Sequence, residues 1–447
     1  MIEPFPIPDS WVWTRVGNLY KIVGGGTPST SQEGYWNGSI PWITSADIHG
    51  LRDIRPRRTV TEDGIRNSAT NLVPKDSIIV VTRVGLGKLA LTEYPLCFSQ
   101  DSQALVGNSQ FVDPLYSLYY LSHAVQIFKY QGRGTTISGV TKKQLHDLEF
   151  PLAPYAEQKR IVAKIEELFS RLDVGMRSLE QAQKQMGSYR RSLLATALDG
   201  RLTSQWRKKN PVARPRADTV SERPTGIPGN WAWVTLGSIT QPSKERYQPN
   251  KSESRVYLGL EHIESGTGRI LGTGDSSDVV SFKSVFKAGD VLYGRLRPYL
   301  NKVTVPMFDG VCSTDILVFP KSPSFDSRYL SYVLLFPRFV EFTSARMAGV
   351  QHPRIKFATM SDYALPLPPV AEQRAIGDLL EHSISVAQTA LEDIETNLVK
   401  SRNLRRSILR ITFVGGLVSQ DSRDEPAGLL LERIRNGKEA LRRHATR

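Results

Sequence analysis

Two kinds of hydrophobic pattern alternate along the 447-residue chain. In the stretches 7–153 and 227–368, apolar residues come in short runs such as Ser77-Ile78-Ile79-Val80-Val81 and Asp290-Val291-Leu292-Tyr293, punctuated by Gly, Pro and Thr. Runs of this length between turn residues predict buried strands in a β-rich domain with few long helices. Short helices are predicted only near 115–129 and 326–341, where YSLYYLSHAVQIF and SRYLSYVLLFPRFV carry matching apolar faces. The second pattern follows each of these stretches. It is long, poor in glycine and mixed apolar and charged. Its apolar residues are Ile165, Phe169, Leu172, Met176 and Leu179 in one place, and Leu380, Ile384, Ala387, Leu391, Ile394 and Leu398 in the other. Spacings that alternate four and three form a heptad seam, so each segment reads as a helix of roughly 60 Å. Two such seams in one register predict an antiparallel coiled coil.

The alternation reflects a duplication. Ile7-Pro8-Asp9-Ser10-Trp11-Val12-Trp13 returns as Ile227-Pro228-Gly229-Asn230-Trp231-Ala232-Trp233, and Pro151-Leu152-Ala153-Pro154-Tyr155-Ala156-Glu157-Gln158 returns as Pro366-Leu367-Pro368-Pro369-Val370-Ala371-Glu372-Gln373. Arg190-Arg191-Ser192 matches Arg405-Arg406-Ser407, and Gly200, Leu202, Ser204 and Gln205 match Gly415, Leu417, Ser419 and Gln420. Repeats of this kind define the architecture before any single motif does. The predicted order is a first domain over 1–153, a long helix over 154–203, a Pro-rich linker over 204–226, a second domain over 227–368, a second long helix over 369–416 and a basic tail over 417–447. Within the tail, Leu429, Leu430, Leu431 and Ile434 predict a short amphipathic basic helix, against the alternative of a frayed terminus. The fold class is therefore α+β: two pseudo-symmetric β-rich α/β domains separated by two long antiparallel coiled-coil helices.

Composition narrows the function. Lys and Arg exceed Asp and Glu by 14, which favours a polyanionic partner. Two cysteines, Cys97 and Cys312, sit at matching repeat positions and make no disulfide framework, so each reads as a small buried hydrophobe. The opening residues lack the basic and apolar regions of a secretory signal, and no apolar run is long enough for a membrane span, so a cytoplasmic location is expected. The paired tryptophans Trp11, Trp13, Trp231 and Trp233 read as core rather than as base-stacking platforms.

Catalytic signatures are missing. Gly85-Leu86-Gly87-Lys88 resembles part of a phosphate-binding loop but has Thr82 where the first glycine belongs and no Ser or Thr after the lysine. Asp113-Pro114-Leu115-Tyr116 lacks the second proline of the amino-methyltransferase motif and reads as a helix start. Gly24-Gly25-Gly26 reads as a flexible turn. The seven histidines are scattered away from metal-ligand spacing, and no nucleophile elbow is present.

At this point the residues resemble a known family along nearly the whole chain: the specificity subunits of type I restriction-modification systems. The resemblance rests on Ile-Pro-x-x-Trp-x-Trp, on Gly26-Thr27-Pro28-Ser29 followed by Tyr35-Trp36-Asn37-Gly38 and Ile40-Pro41-Trp42, on the doubled Pro-Leu-x-Pro-x-x-Glu-Gln, and on the tail Glu425-Pro426-Ala427 through Leu431-Glu432-Arg433-Ile434-Arg435. It implies two target-recognition domains, each reading one half of a two-part asymmetric double-stranded DNA site. The helices would serve as the ruler between half-sites and as the dock for two modification methyltransferase subunits, joined by two restriction subunits. It also implies a non-catalytic chain that binds no cofactor itself, with S-adenosylmethionine, ATP and magnesium held by those partners. The second domain departs from the pattern, having Gln241-Pro242-Ser243-Lys244-Glu245-Arg246-Tyr247 where the first has its Gly-Thr-Pro-Ser motif, so the two half-sites should differ.

Basic and amide side chains in polar loops are the candidates for phosphates and base edges. In the first domain these are Lys21, Thr27, Ser29, Arg83, Lys88, Gln131, Arg133 and Lys142. In the second they are Lys244, Arg246, Arg295, Arg297, Lys302, Arg346, Gln351, His352, Arg354 and Lys356. Arg190, Arg191, Arg405 and Arg406 on the long helices are candidates for DNA across the gap, for acidic patches on a partner, or for compensating helix ends. A stand-alone DNA-binding regulator, the recognition module of a single-chain methyltransferase or nuclease, and a plain coiled-coil scaffold remain as alternatives.

Overall fold

The computed structural model describes residues 5–131, 139–213, 220 and 226–445. The chain forms two compact units, one made of 1–178 and 397–447, the other of 179–396. Each repeat thus draws on both long helices. The reading along the chain drew each helix as a segment of its own. Heptad positions show which residues want burial, but a long-range partner is needed to say where.

In the first unit, strand Val12–Arg15 pairs antiparallel with Glu149–Leu152 and closes the domain's two ends together. A four-stranded antiparallel sheet runs in the order Lys21–Gly24, Ser102–Val106, Ile78–Val81, Leu89–Leu91. A three-stranded sheet sets Trp36–Ile43 between Arg58–Val60 and Cys97–Phe98. The apolar run at 78–81 is buried on both faces. Successive side chains of a strand point opposite ways, so Ile78 and Val80 enter one core while Ile79 and Val81 enter another. The helix Pro114–Gln131 covers the first of these cores, and Asp113 caps it by accepting from the amides of Leu115 and Tyr116.

The second unit repeats the plan. Ala232–Thr235 pairs with Ala364–Leu367. Val291–Gly294 lies between Val303–Thr304 and Ile316–Phe319, with Val291 and Tyr293 in one core and Leu292 in another. A five-stranded mixed sheet stands beside it. The helix predicted near 326–341 is two helices, Ser327–Leu335 and Pro337–Ser344, because Pro337 cannot continue the first.

The long helices are Tyr155–Leu198 and Val370–Phe413, each of 44 residues and so about 66 Å. They run antiparallel. In the first unit Arg160 pairs with Asp424 at 2.6 Å, while Asp173, further along the first helix, pairs with Arg405, earlier on the second. In the second unit Leu193 and Leu194 share a core with Ile376, Leu380 and Ile384. Of the heptad positions, Ile165, Leu380, Ile394 and Leu398 are buried, and Phe169, Leu172, Met176, Leu179, Ile384 and Leu391 half-buried, while both ends of each helix carry further buried residues.

The doubled Glu-Gln motif is a latch at the start of each long helix. Glu157 accepts the indole N–H of Trp11 at 3.0 Å, and Glu372 accepts that of Trp231 at 3.0 Å. Gln158 donates to the carbonyl of Ala153 and accepts from the amide of Asp113; Gln373 does the same with Pro368 and Asp326. Tyr116 and Tyr329 donate to the carbonyls of Pro151 and Pro366, each at 2.6 Å. Buried polar groups satisfied this fully fix one geometry, which explains why the motif is written twice.

One segment differs from the sequence reading, and the tail bears its reading out. The segment 204–226 does not begin as a linker: Ser204–Lys209 is helical, and Arg207 pairs with buried Glu372 at 2.8 Å. A buried carboxylate needs donors, and the chain supplies them here in a stretch whose polarity suggested solvent. The tail 417–447 forms the helix Ala427–Ala445, whose Leu430, Leu431 and Ile434 lie buried in the first unit's core. Trp11 and Trp231 are core residues, and both cysteines are buried and free.

Candidate nucleic-acid interface

Three loops meet at one edge of each unit. In the first they are the hairpin loop 82–88, the turn 99–101, and Gly139–Val140. The amides of Thr82 and Arg83 donate to the carbonyl of Asp101, and the amide of Val140 donates to that of Thr82. In the second unit the corresponding bonds run from Arg295 to Asp315 and from Ile355 to Arg295. The same backbone lattice thus holds 295–302, 313–315 and 346–355 together.

In the first unit the Gly-Thr-Pro-Ser loop joins this edge. Gly25 and Gly26 donate to the carbonyls of Ser102 and Phe98. Trp42 donates to the carbonyl of Gly26 and Trp36 to that of Ser29, each at 3.0 Å. The aromatic motif is therefore the brace of the loop. The reading of Gly24-Gly25-Gly26 as a flexible turn is corrected: a Cβ on Gly25 would stand 2.1 Å from the Ser99 carbonyl oxygen, and one on Gly26 2.4 Å from the Ala69 carbonyl carbon. Close backbone passage, not freedom, requires glycine there. Thr27 and Ser29 are held outward, and Thr27 donates to Gln100. Arg83 is exposed, its amide bonded to the carbonyl of Asp101.

Lys88 and Lys302 have internal roles. Each directly precedes the second strand of its hairpin and folds back onto a short helical turn. Lys88 donates to the carbonyls of Ser45 and Ile48 at 2.8 and 3.1 Å, and Lys302 to that of Leu260 at 2.6 Å. Lys21 and Lys142 line a groove with His146, Asn108 and Ile434 of the C-terminal helix; Lys21 stands at the end of its strand away from Gly24. Gln131 ends its helix, and its side chain, like the whole of Arg133, lies outside the described residues.

The second unit concentrates more candidates. Arg295, Arg297, Arg346, Gln351, His352 and Arg354 all belong to the two loops joined by the bridges Leu296–Arg354 and Ala348–Arg354 and by the bond from the Arg297 amide to the Pro353 carbonyl. Lys356 is exposed at the loop's end. Arg346 stacks on Phe342 at 4.1 Å. Arg297 and Asn301 hold left-handed backbone at φ 50° and 48°, where the first unit's loop uses Gly85 and Gly87. Such strain in a bulky residue costs about 1–2 kcal/mol and marks a loop shaped for a purpose. Lys244 is exposed on a neighbouring strand entry, and Arg246 donates to Ser284. Arg190 reaches the carbonyl of Thr267 and Arg405 stacks on Phe169, so these two brace the helices; Arg191 and Arg406 are exposed.

Two acidic residues went unremarked in the sequence. Asp315 accepts a fork from Arg354 at 2.7 and 3.0 Å and lies 3.7 Å from Arg295. The hydrogen bonds from Arg354 hold its carboxyl below the usual range. Asp101 occupies the equivalent turn. Only a match of Asp-turn positions between the repeats, at 101 and 315, could have revealed them.

The family model for the type I restriction modification DNA specificity domain matches twice, over residues 8–182 and 228–399. The chain belongs to this family. It is a specificity subunit, the non-catalytic DNA-recognition component of a type I restriction-modification system. The EcoDI specificity subunit of Escherichia coli is 26% identical, with 98% of each chain covered. The EcoKI specificity subunit of Escherichia coli is 23% identical, again over 98% of each. Among solved structures, a chain from work on complex assembly and conformational transition of the type I R-M system superposes with a TM-score of 0.68 at 19% identity, covering 92% of this chain and 100% of that one. The HsdS subunit from Thermoanaerobacter tengcongensis gives 0.58 at 19% identity, over 93% and 99%. These two likenesses bear on the fold. The family match accounts for the doubled domain and for chemistry absent from the sequence.

Proposed function

We propose that this specificity subunit reads a two-part, asymmetric DNA site with a fixed gap, one half-site per unit, and brings modification and restriction subunits to it. The carrying observation is that one three-loop edge, held by equivalent backbone bonds, is built twice in one chain with different side chains displayed. Basic and amide groups there suit phosphates and base edges. Different loops on equal frames give different half-sites. S-adenosylmethionine, ATP and magnesium would belong to the partners, two modification and two restriction subunits, and the long helices would set the gap and carry the docking faces.

The test is co-expression with the cognate modification subunit in a methylation-free host, followed by mapping of methylated adenines. The expected result is one motif in two unlike parts with a constant gap. A single contiguous motif, or methylation independent of this chain, overturns the reading.

A further inference from the structure

Arg354 is held on the second unit's edge both through its backbone and through a side-chain fork onto a carboxylate. Its amide and carbonyl exchange hydrogen bonds of 2.9 Å with Ala348. Its Nε and Nη2 donate to the two oxygens of Asp315, and its Nη1 donates to the carbonyl of His352 at 3.3 Å. A guanidinium has five N–H groups. The fold uses three, and the remaining two lie one on each terminal nitrogen. The side chain stays 43% exposed. Its neighbours differ. Arg297 has a long bond to the Gln351 carbonyl, Arg346 lies on the ring of Phe342 and donates to that residue's own carbonyl, and Arg295 stands off Asp315; none of the three makes a two-point fork onto a carboxylate.

We propose that Arg354, oriented by Asp315, reads a guanine in the half-site of the second unit through its two outward N–H groups, which match O6 and N7 in the major groove. Paired donors on a planar, pre-set fork suit that edge, whereas a phosphate is served equally well by a mobile cation. Asp315 is a positioning residue. Among the described residues the first unit has no equivalent: Gly139 stands at the repeat position of Arg354, and a Cβ there would lie 2.2 Å from the Thr82 carbonyl oxygen. The guanine contact therefore belongs to one half-site, and the other half-site is the internal control.

This inference rests on the two-part reading above, and one experiment separates them. The full chain, with its modification subunit, is assayed by methylome mapping as wild type, Arg354→Lys and Asp315→Asn. Lysine keeps the charge and a bond to Asp315 but loses the fork. A wild-type motif in two parts upholds the proposed function whatever the variants do. The inference expects a guanine in one part. In Arg354→Lys, discrimination at that position should fall by roughly 10- to 100-fold, with all other positions and the other part unchanged. Asp315→Asn should relax the same position, about tenfold or less. The inference is overturned if neither part holds a guanine, if Arg354→Lys leaves that position strict, or if both variants weaken every position alike, as loss of a merely structural pair would.

Discussion

The two units solve one problem, a glutamate buried at the start of a long helix, in different ways. Both carboxylates take an indole N–H at 3.0 Å. Glu157 adds the neutral amide of Gln420 at 2.7 Å, whereas Glu372 adds Thr203, Asn230 and the cation of Arg207. Burial pushes the Glu157 carboxyl above its ordinary range, the bonds from Trp11 and Gln420 working against it. Equal motifs therefore do not mean equal energetics. The shared residues specify the geometry, and the donors each unit recruits from beyond the other long helix decide what the buried charge costs.

The largest effect should come from Glu372→Gln. Arg207 is only 21% exposed and would lose its counter-charge. Breaking one side of a buried pair costs about 3–5 kcal/mol. Hydrogen exchange should show that loss in the amides of 232–235 and 364–367, with strands 12–15 and 149–152 little changed. Removing the arginine as well, in Glu372→Gln with Arg207→Met, should recover part of it. Equal destabilisation of both strand pairs would mean that the latches are not separate devices.

A second pair of variants probes what the units share. Gly200 and Gly415 both have φ of 78°, and a Cβ would stand 2.4 Å from the ring of Pro228 in one and 2.2 Å from that of Pro8 in the other. Alanine must accept left-handed backbone and displace a proline, so each change should cost about 2 kcal/mol in its own unit. Melting and segment-resolved exchange should give matched losses. A difference above about 1 kcal/mol would show that the repeat has diverged even here.

Much of this was legible in the sequence, for reasons that differ by element. The strand at Ile78–Val81 and the two 44-residue helices announce themselves by local period. Those helices run over Tyr155–Leu198 and Val370–Phe413. The assignment of Ser204–Lys209 to a linker failed because its purpose is long-range: Arg207 is explained by Glu372, far away in the chain. Lys88 and Lys302 look like loop cations until the carbonyls of Ser45, Ile48 and Leu260 are seen beneath them. Asp315 is one carboxylate among 44 acidic residues until Arg354 is folded onto it. A period can be read from one segment, whereas a partner requires the fold.

The smallest expected effect is also the sharpest test of the comparison. Glu157→Gln keeps an acceptor for Trp11, and the Gln420 amide, which also accepts from Ser10, has an oxygen to turn toward the new N–H group. The net change in stability should lie within about 1 kcal/mol. Its sign depends on pH. An acid whose folded pKa is raised binds its proton more tightly when folded, so ionisation opposes folding. In the wild type that opposition is absent below the unfolded value of about 4.3, grows as pH rises toward the raised folded value, and is complete above it. Glutamine removes the titration. Opening free energies of strands 12–15 and 149–152, corrected for intrinsic exchange, should therefore fall over that interval in the wild type and stay level in the variant. Near pH 7 the variant should match or exceed the wild type. A wild type that gains stability over the same interval would mean that Gln420 and Arg160, which lies close enough to lower the Glu157 pKa, outweigh burial. The two latches would then be energetically alike after all.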